Sequence, residues 1–92
     1  MTSRRFVVRG RVQGVGFRYF VEWHANRLQL AGWVRNLPTG VAVEVHAAGG
    51  DDAVRELGRL MREGPPGSLV HAIEETPLAD DTPLPRPFRV RF

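Results

Sequence analysis

The chain has 92 residues, 42% of them apolar, which suffices for one modest core, so a single domain over residues 1–92 is expected. It has no cysteine, which excludes a disulfide framework, a zinc–thiolate site and a thiol nucleophile, and suits a reducing compartment, with cytoplasm the default. All thirteen basic residues are arginine, which removes a Walker-type phosphate lysine, a Schiff-base lysine and an amine nucleophile, and the formal net charge is +3. That charge is unevenly spread: residues 1–40 carry seven Arg against Glu22 alone (+6), and residues 41–92 six Arg against nine acids (−3), so an anion site is expected in the first half.

In chain order, Phe6, Val8 and Val12 alternate with Arg5, Arg9 and Arg11 in the period of a half-buried strand. Arg9 and Arg11 also break up the N-terminal apolar run, so no signal-peptide core or membrane span is expected. After the glycine-rich Gly14–Gly16, the residues Phe17, Phe20, Val21, Ala25 and Leu28 form a helical stripe, with Tyr19 and Trp23 opposite. Gly32 breaks that pattern; Trp33 to Leu37 and Val41, Val43, Val45 and Ala47 then read as a hairpin about Pro38-Thr39-Gly40. Asp51-Asp52 stand where helix-capping acids belong, ahead of Val54, Leu57, Leu60 and Met61 at helical spacing, and Gly64-Pro65-Pro66-Gly67 stops that helix. A short strand is expected over Leu69–Glu74, a loop over Pro77–Pro87, and a last strand over Phe88–Phe92. This β-α-β-β-α-β order with a final edge strand predicts an α+β, ferredoxin-like split βαβ two-layer sandwich: an antiparallel sheet with two helices on one face. Arg9, Arg11, Glu44, His46, Arg89 and Arg91 are expected on the open face as a mixed-charge, solvated surface.

The segment Gly10-Arg11-Val12-Gln13-Gly14-Val15-Gly16-Phe17-Arg18 runs from a strand into a helix start, where main-chain N–H groups converge and the helix dipole is positive. Gly14 and Gly16 permit positive φ and close approach, and Arg18 in the first turn can close the ring with a bidentate guanidinium. By spacing alone, such a pair of glycines serves equally as a tight strand-to-helix connection. Phosphatases that pass through a cysteinyl phosphate use a Cys-x5-Arg loop; here Val12 stands six residues before Arg18, so if this loop handles phosphate the attacking group must be water and the leaving group a good one.

That loop with Phe20, followed by Gly32-Trp33-Val34-Arg35-Asn36-Leu37 and Gly40, closely resembles the two signature segments of the acylphosphatase family. Glu63-Gly64-Pro65 and the terminal Phe88–Phe92 resemble its later landmarks. The resemblance implies hydrolysis of acyl phosphates to a carboxylate and inorganic phosphate, with no metal or cofactor. It implies that Gln13, Gly14, Val15, Gly16, Phe17 and Arg18 bind the phosphoryl group and that Asn36 orients the water, Arg18 and Asn36 being the catalytic pair. Two departures stand out: Gln29 replaces a glycine that often ends the first helix, and Thr39 precedes Gly40 where an acidic turn residue is common. A positive φ at Gln29 would cost about 1 kcal/mol.

The amide of Asn36 can accept from water and donate elsewhere, which makes it a positioner and not a base. Glu22 and His24 are the nearest ionisable candidates for a base, but ordinary helix roles fit their spacing better, and proton uptake by the substrate's own phosphate is the preferred route. His24, His46 and His71 fall on separate elements without metal-ligand spacing, and Asp51-Asp52, Glu74-Glu75 and Asp80-Asp81 read as capping or solvated pairs. Trp33 and Phe20 read as core or shell residues. The alternative is a non-catalytic anion- or RNA-binding module of the same topology, favoured by the sequence pI near 11 but lacking aromatic stacking residues on strand one. A small acyl phosphate is therefore the expected partner, inorganic phosphate a product and competitive inhibitor, nucleic acid and membrane not expected, and a free-standing monomer the default. The acyl group and the oligomeric state are not written in the sequence.

Overall fold

A computed structural model describes residues 1–79 and 83–92. Its elements are β1 (Thr2–Arg11), α1 (Phe17–Arg27), β2 (Ala31–Asn36), β3 (Ala42–Gly49), α2 (Asp51–Glu63), β4 (Leu69–Pro77) and β5 (Arg89–Arg91). They form one sheet in the order β4-β1-β3-β2-β5, the split βαβ arrangement. The four long strands pair antiparallel as expected. The edge strand β5 does not: it runs parallel to β2, with Trp33 opposite Arg89 and Arg35 opposite Arg91, so the full sheet is mixed. Connectivity requires this, because β4 runs opposite to β1 and a chain returning from its end to the far edge enters in the direction of β2.

Strand alternation sends Phe6, Val8, Val34, Val43, Val45 and Ala47 to one face, where Phe17, Val21 and Ala25 of α1 and Val54, Leu57 and Met61 of α2 cover them. Each large apolar side chain so buried stabilises the fold by roughly 1.5–3 kcal/mol. Both helices therefore share this face, and Tyr19 and Trp23 point away from it, exposed. Gly32, read in sequence as a break, lies inside β2 with φ 143°, and a Cβ there would run into the His46 carbonyl, so the glycine lets β2 and β3 approach. β4 extends to Pro77, shortening the expected Pro77–Pro87 loop, and the Asp80-Asp81 pair lies outside the described residues. Gly50, and not Asp51 or Asp52, occupies the N-cap of α2; the two acids lie in its first turn and act on the helix dipole, and Asp51 also accepts from the Thr2 hydroxyl.

The face away from the helices is less solvated than its charge suggests. Glu44 is buried at its centre, accepting from Arg5 Nε at 2.6 Å, from Arg35 Nε at 2.9 Å and contacting His46 Nε2 at 3.2 Å. Arg9 pairs with Glu74 at 2.8 Å on this face, and on the helix-covered face Arg4 pairs with Glu75 at 3.3 Å near Asp51 and Arg55 of α2; both pairs tie β1 to β4. Trp33 stacks on His46 with ring centroids 4.1 Å apart, and the guanidinium carbons of Arg35 and Arg91 lie 5.4 and 4.9 Å from its ring. The ring is only 9% exposed, which leaves no open platform for a nucleobase.

Candidate active site

Between β1 and α1 the chain turns through two left-handed glycines, Gly14 at φ 74° and Gly16 at φ 77°, the latter serving as N-cap of α1. A Cβ at either position would meet no atom within 4 Å, so these glycines are demanded by backbone angle and not by space. Buried Val12 and Phe17 pin the two ends of the turn to the core. Among the described residues, no main-chain carbonyl accepts the N–H of Gly14, Val15, Gly16, Phe17 or Arg18. Five donors at the positive end of a helix dipole, without a partner, are what an anion cradle requires.

The predicted loop residues contribute unequally. Phe17 is 1% exposed and Val15 packs on the core, so both can serve an anion only through main-chain N–H groups. The side chain of Gln13 is committed elsewhere: Nε2 donates to the carbonyls of Leu37 and Ala42, each at 2.9 Å. Gln13 is among the residues expected at the phosphate; its carboxamide fastens the loop to the β2–β3 hairpin, so that role would fall to its main chain.

Asn36 ends β2, two residues beyond the core residue Val34 and on the same face of the sheet. Its Oδ1 is buried and has no hydrogen-bond partner among the described residues. A buried acceptor left this way costs about 1–3 kcal/mol, which calls for a functional explanation. Arg18 extends towards β5, where Nη1 lies 3.5 Å from the Arg91 carbonyl and the guanidinium carbon 4.7 Å from the Phe92 ring centroid. Since Arg91 pairs with Arg35, this brings Arg18 to the end of the sheet that carries Asn36.

A family model described as Acylphosphatase matches residues 4–90. The chain belongs to the acylphosphatase family. Among its relatives, the acylphosphatase of Nitratidesulfovibrio vulgaris is 45% identical over 93 residues, spanning 100% of this chain and 92% of that one. The acylphosphatase of Caldivirga maquilingensis is 49% identical over 73 residues, 79% of this chain and 77% of the other. A solved structure of an acylphosphatase from Coxiella burnetii superimposes with a TM-score of 0.89 at 38% identity, covering 98% of this chain and 92% of that chain. Membership makes the chain a hydrolase of the carboxyl–phosphate anhydride, as the two signature segments implied.

The histidines lie apart, His24 on α1, His46 on β3 and His71 on β4, and among the described residues no group of three or more His, Cys, Asp or Glu is arranged to hold a metal ion. His24 packs against Phe20 and Trp23, and burial, followed by the neighbouring Arg27, lowers its pKa below the usual imidazole value. No helix among the described residues is long and apolar enough to cross a membrane. Sequence reasoning missed Glu44 as the centre of a charged cluster, and missed Glu22 and Asn26, whose side chains bond the main chain of Val90 and Phe88. Cross-strand register would have found the first; a polar row at i, i+4, i+8 from Arg18 was the signal for the others.

Proposed function

We propose that the acyl phosphate is hydrolysed by direct attack of water on a phosphoryl group held by the main-chain N–H groups of the 13–18 loop and by Arg18. The observation that carries the proposal is the unpartnered, buried Oδ1 of Asn36 at the sheet end where Arg18 also sits. That oxygen accepts a hydrogen bond from the attacking water and orients its lone pair towards phosphorus. As the P–O bond to the acyl group breaks, negative charge spreads over the equatorial phosphoryl oxygens, and donors fixed before reaction stabilise it; one such donor is worth about 10²–10³ in rate. The carboxylate departs without needing a proton, and the proton lost by water passes to a phosphoryl oxygen. The balance is acyl phosphate plus water to carboxylate plus inorganic phosphate.

On this reading the reaction needs no metal or cofactor, inorganic phosphate competes with substrate, and the enzyme works as a cytoplasmic monomer, which its cysteine-free composition suits. The test compares benzoyl phosphate with an alkyl phosphate monoester in the presence of a strong chelator, for wild type and Arg18→Lys. Wild type should turn over only the acyl phosphate, and the lysine, which lacks the planar fork, should be severely impaired. Comparable turnover of both substrates, or near-normal rates in Arg18→Lys, would reject the scheme.

A further inference from the structure

Three side chains spaced four apart along α1 reach the last strand. Asn26 Oδ1 accepts from the Phe88 N–H at 2.8 Å while its Nδ2 donates to the Phe88 carbonyl at 3.1 Å. One turn earlier, Glu22 Oε2 accepts from the Val90 N–H at 3.2 Å. One turn earlier again, Arg18 meets the Arg91 carbonyl at the outer limit of a hydrogen bond, with the Phe92 ring beside its guanidinium. Four helical residues advance about 6 Å and two strand residues about 6.6 Å, so the helix row and the strand stay in step over this length.

We infer that Glu22 is a positioning residue for Arg18, acting through β5: by fixing the Val90 N–H it sets the Arg91 carbonyl and the Phe92 ring where they hold the guanidinium at the loop. The inference rests on Arg18 being the phosphate ligand. An arginine already restrained beside its ligand loses less side-chain freedom when the anion arrives, so the anchor of β5 contributes to phosphate affinity without touching phosphate. This use of the Glu22 carboxylate also sets it apart from a general base, since its oxygen is turned to the main chain of β5.

The test measures the inhibition constant of inorganic phosphate, kcat and Tm for Glu22→Ala, Glu22→Gln, Phe92→Ala, Arg18→Ala and the Arg18→Ala/Glu22→Ala double variant. Glu22→Ala should weaken phosphate binding roughly three- to tenfold, the size of one lost hydrogen bond, and Glu22→Gln, which keeps an acceptor oxygen, should remain within about twofold of wild type. Phe92 is 92% exposed, so Phe92→Ala should fold normally and weaken phosphate binding roughly two- to fivefold through the lost cation–π contact. On the Arg18→Ala background, removing Glu22 should change phosphate binding no further. A kcat in Glu22→Gln as low as in Glu22→Ala would make Glu22 a base, and a further loss on the Arg18→Ala background would make it structural; either overturns the inference. Tighter phosphate binding in both Glu22 variants would overturn it in favour of simple charge repulsion. If Arg18→Ala loses affinity while Glu22→Ala and Phe92→Ala do not, positioning alone is wrong; unchanged affinity in Arg18→Ala removes the phosphate-ligand reading itself, and this inference with it.

Discussion

The side-chain amide of Gln13 donates to the main-chain carbonyl of Leu37 at 2.9 Å, joining the β1–α1 loop to the residue that follows Asn36. The same amide nitrogen reaches Ala42 across the hairpin, and together with the Gly10 N–H bond to the Val41 carbonyl at 2.9 Å it ties the loop to the segment that carries Asn36. Gln13→Glu replaces both donated protons with a carboxylate facing two carbonyl oxygens. It should lower stability by about 1–3 kcal/mol. It should also lower kcat about tenfold or more, because displacements on the order of 1 Å are costly in a reaction that relies on orientation. Gln13→Leu should be milder on both counts. Urea denaturation and steady-state rates measure the two effects, and a Gln13→Glu variant with normal kcat would show that the tether does not set the site geometry.

Asn36→Ala should separate binding from turnover. If, as proposed, the side chain holds water and the loop holds phosphate, the inhibition constant for inorganic phosphate should stay within a few-fold while kcat falls on the order of 10²-fold or more. Asn36→Asp should not rescue the rate, since a carboxylate beside the phosphoryl group opposes its binding. Loss of phosphate affinity in proportion to rate would assign Asn36 to the cradle.

Acid stability should be governed in part by Glu44. Burial raises its pKa, but the hydrogen bonds from Arg5, Arg35 and His46 outweigh burial and hold the carboxyl down to about 2, against an ordinary value of 4.5. A carboxyl with a depressed folded pKa stabilises the fold fully above its unfolded value, and that contribution is lost as pH falls from about 4.5 through about 2. Glu44→Gln should be less stable at neutral pH by about 1–3 kcal/mol, the partly exposed arginines keeping the cost below that of a fully buried pair. Its stability should also change less than that of wild type between pH 4.5 and 2. Parallel curves for the two proteins in a pH series of chemical denaturation would contradict this.

Gln29 has φ 60°, the one positive φ outside glycine among the described residues. It follows α1 in a Schellman-type ending, in which the Leu30 N–H donates to the Ala25 carbonyl at 2.9 Å and the Gln29 N–H to the Asn26 carbonyl at 3.0 Å. The positive φ on which a cost at this departure from the family pattern depended is therefore present. Gln29→Gly should stabilise the protein by about 0.5–1 kcal/mol, the relief of a left-handed side chain less the entropy of the new glycine. That corresponds to a rise in Tm of about 2–8 °C in a domain of this size, with kcat unchanged. A fall in Tm would show that the Gln29 side chain does more than tolerate the turn.

The fold was largely legible because short-range rules dictate it. Val43, Val45 and Ala47 alternate as the sheet requires, and Phe17, Val21 and Ala25 recur as a helix requires. The turn between β1 and α1 was legible too, since Gly14 and Gly16 mark a left-handed strand-to-helix connection, but the glycines alone did not tell a ligand loop from a plain turn. What escaped was long-range. Nothing local to Gln13 says that its amide reaches Leu37, 24 residues away, and nothing local to Glu44 says that Arg5 and Arg35 converge on it from both neighbouring strands. The parallel pairing of β5 was likewise hidden, since a three-residue strand carries no mark of direction until the whole sheet order is known.

The ion pairs on the two faces of the sheet also shape the field that a dianion meets. Of the seven arginines among residues 1–40, Arg4, Arg5, Arg9 and Arg35 each face a glutamate of β3 or β4. Three glutamates thus offset part of the charge of these four arginines, Arg5 and Arg35 sharing Glu44, while Arg11 and Arg18, at the two ends of the loop, have no carboxylate partner among the described residues. Carboxylates drawn from the second half of the chain therefore thin the positive charge over β1 and β2, and Arg11 and Arg18 keep theirs. An anion nearing the loop should feel that unpaired charge over about the Debye length of 8–10 Å at moderate salt.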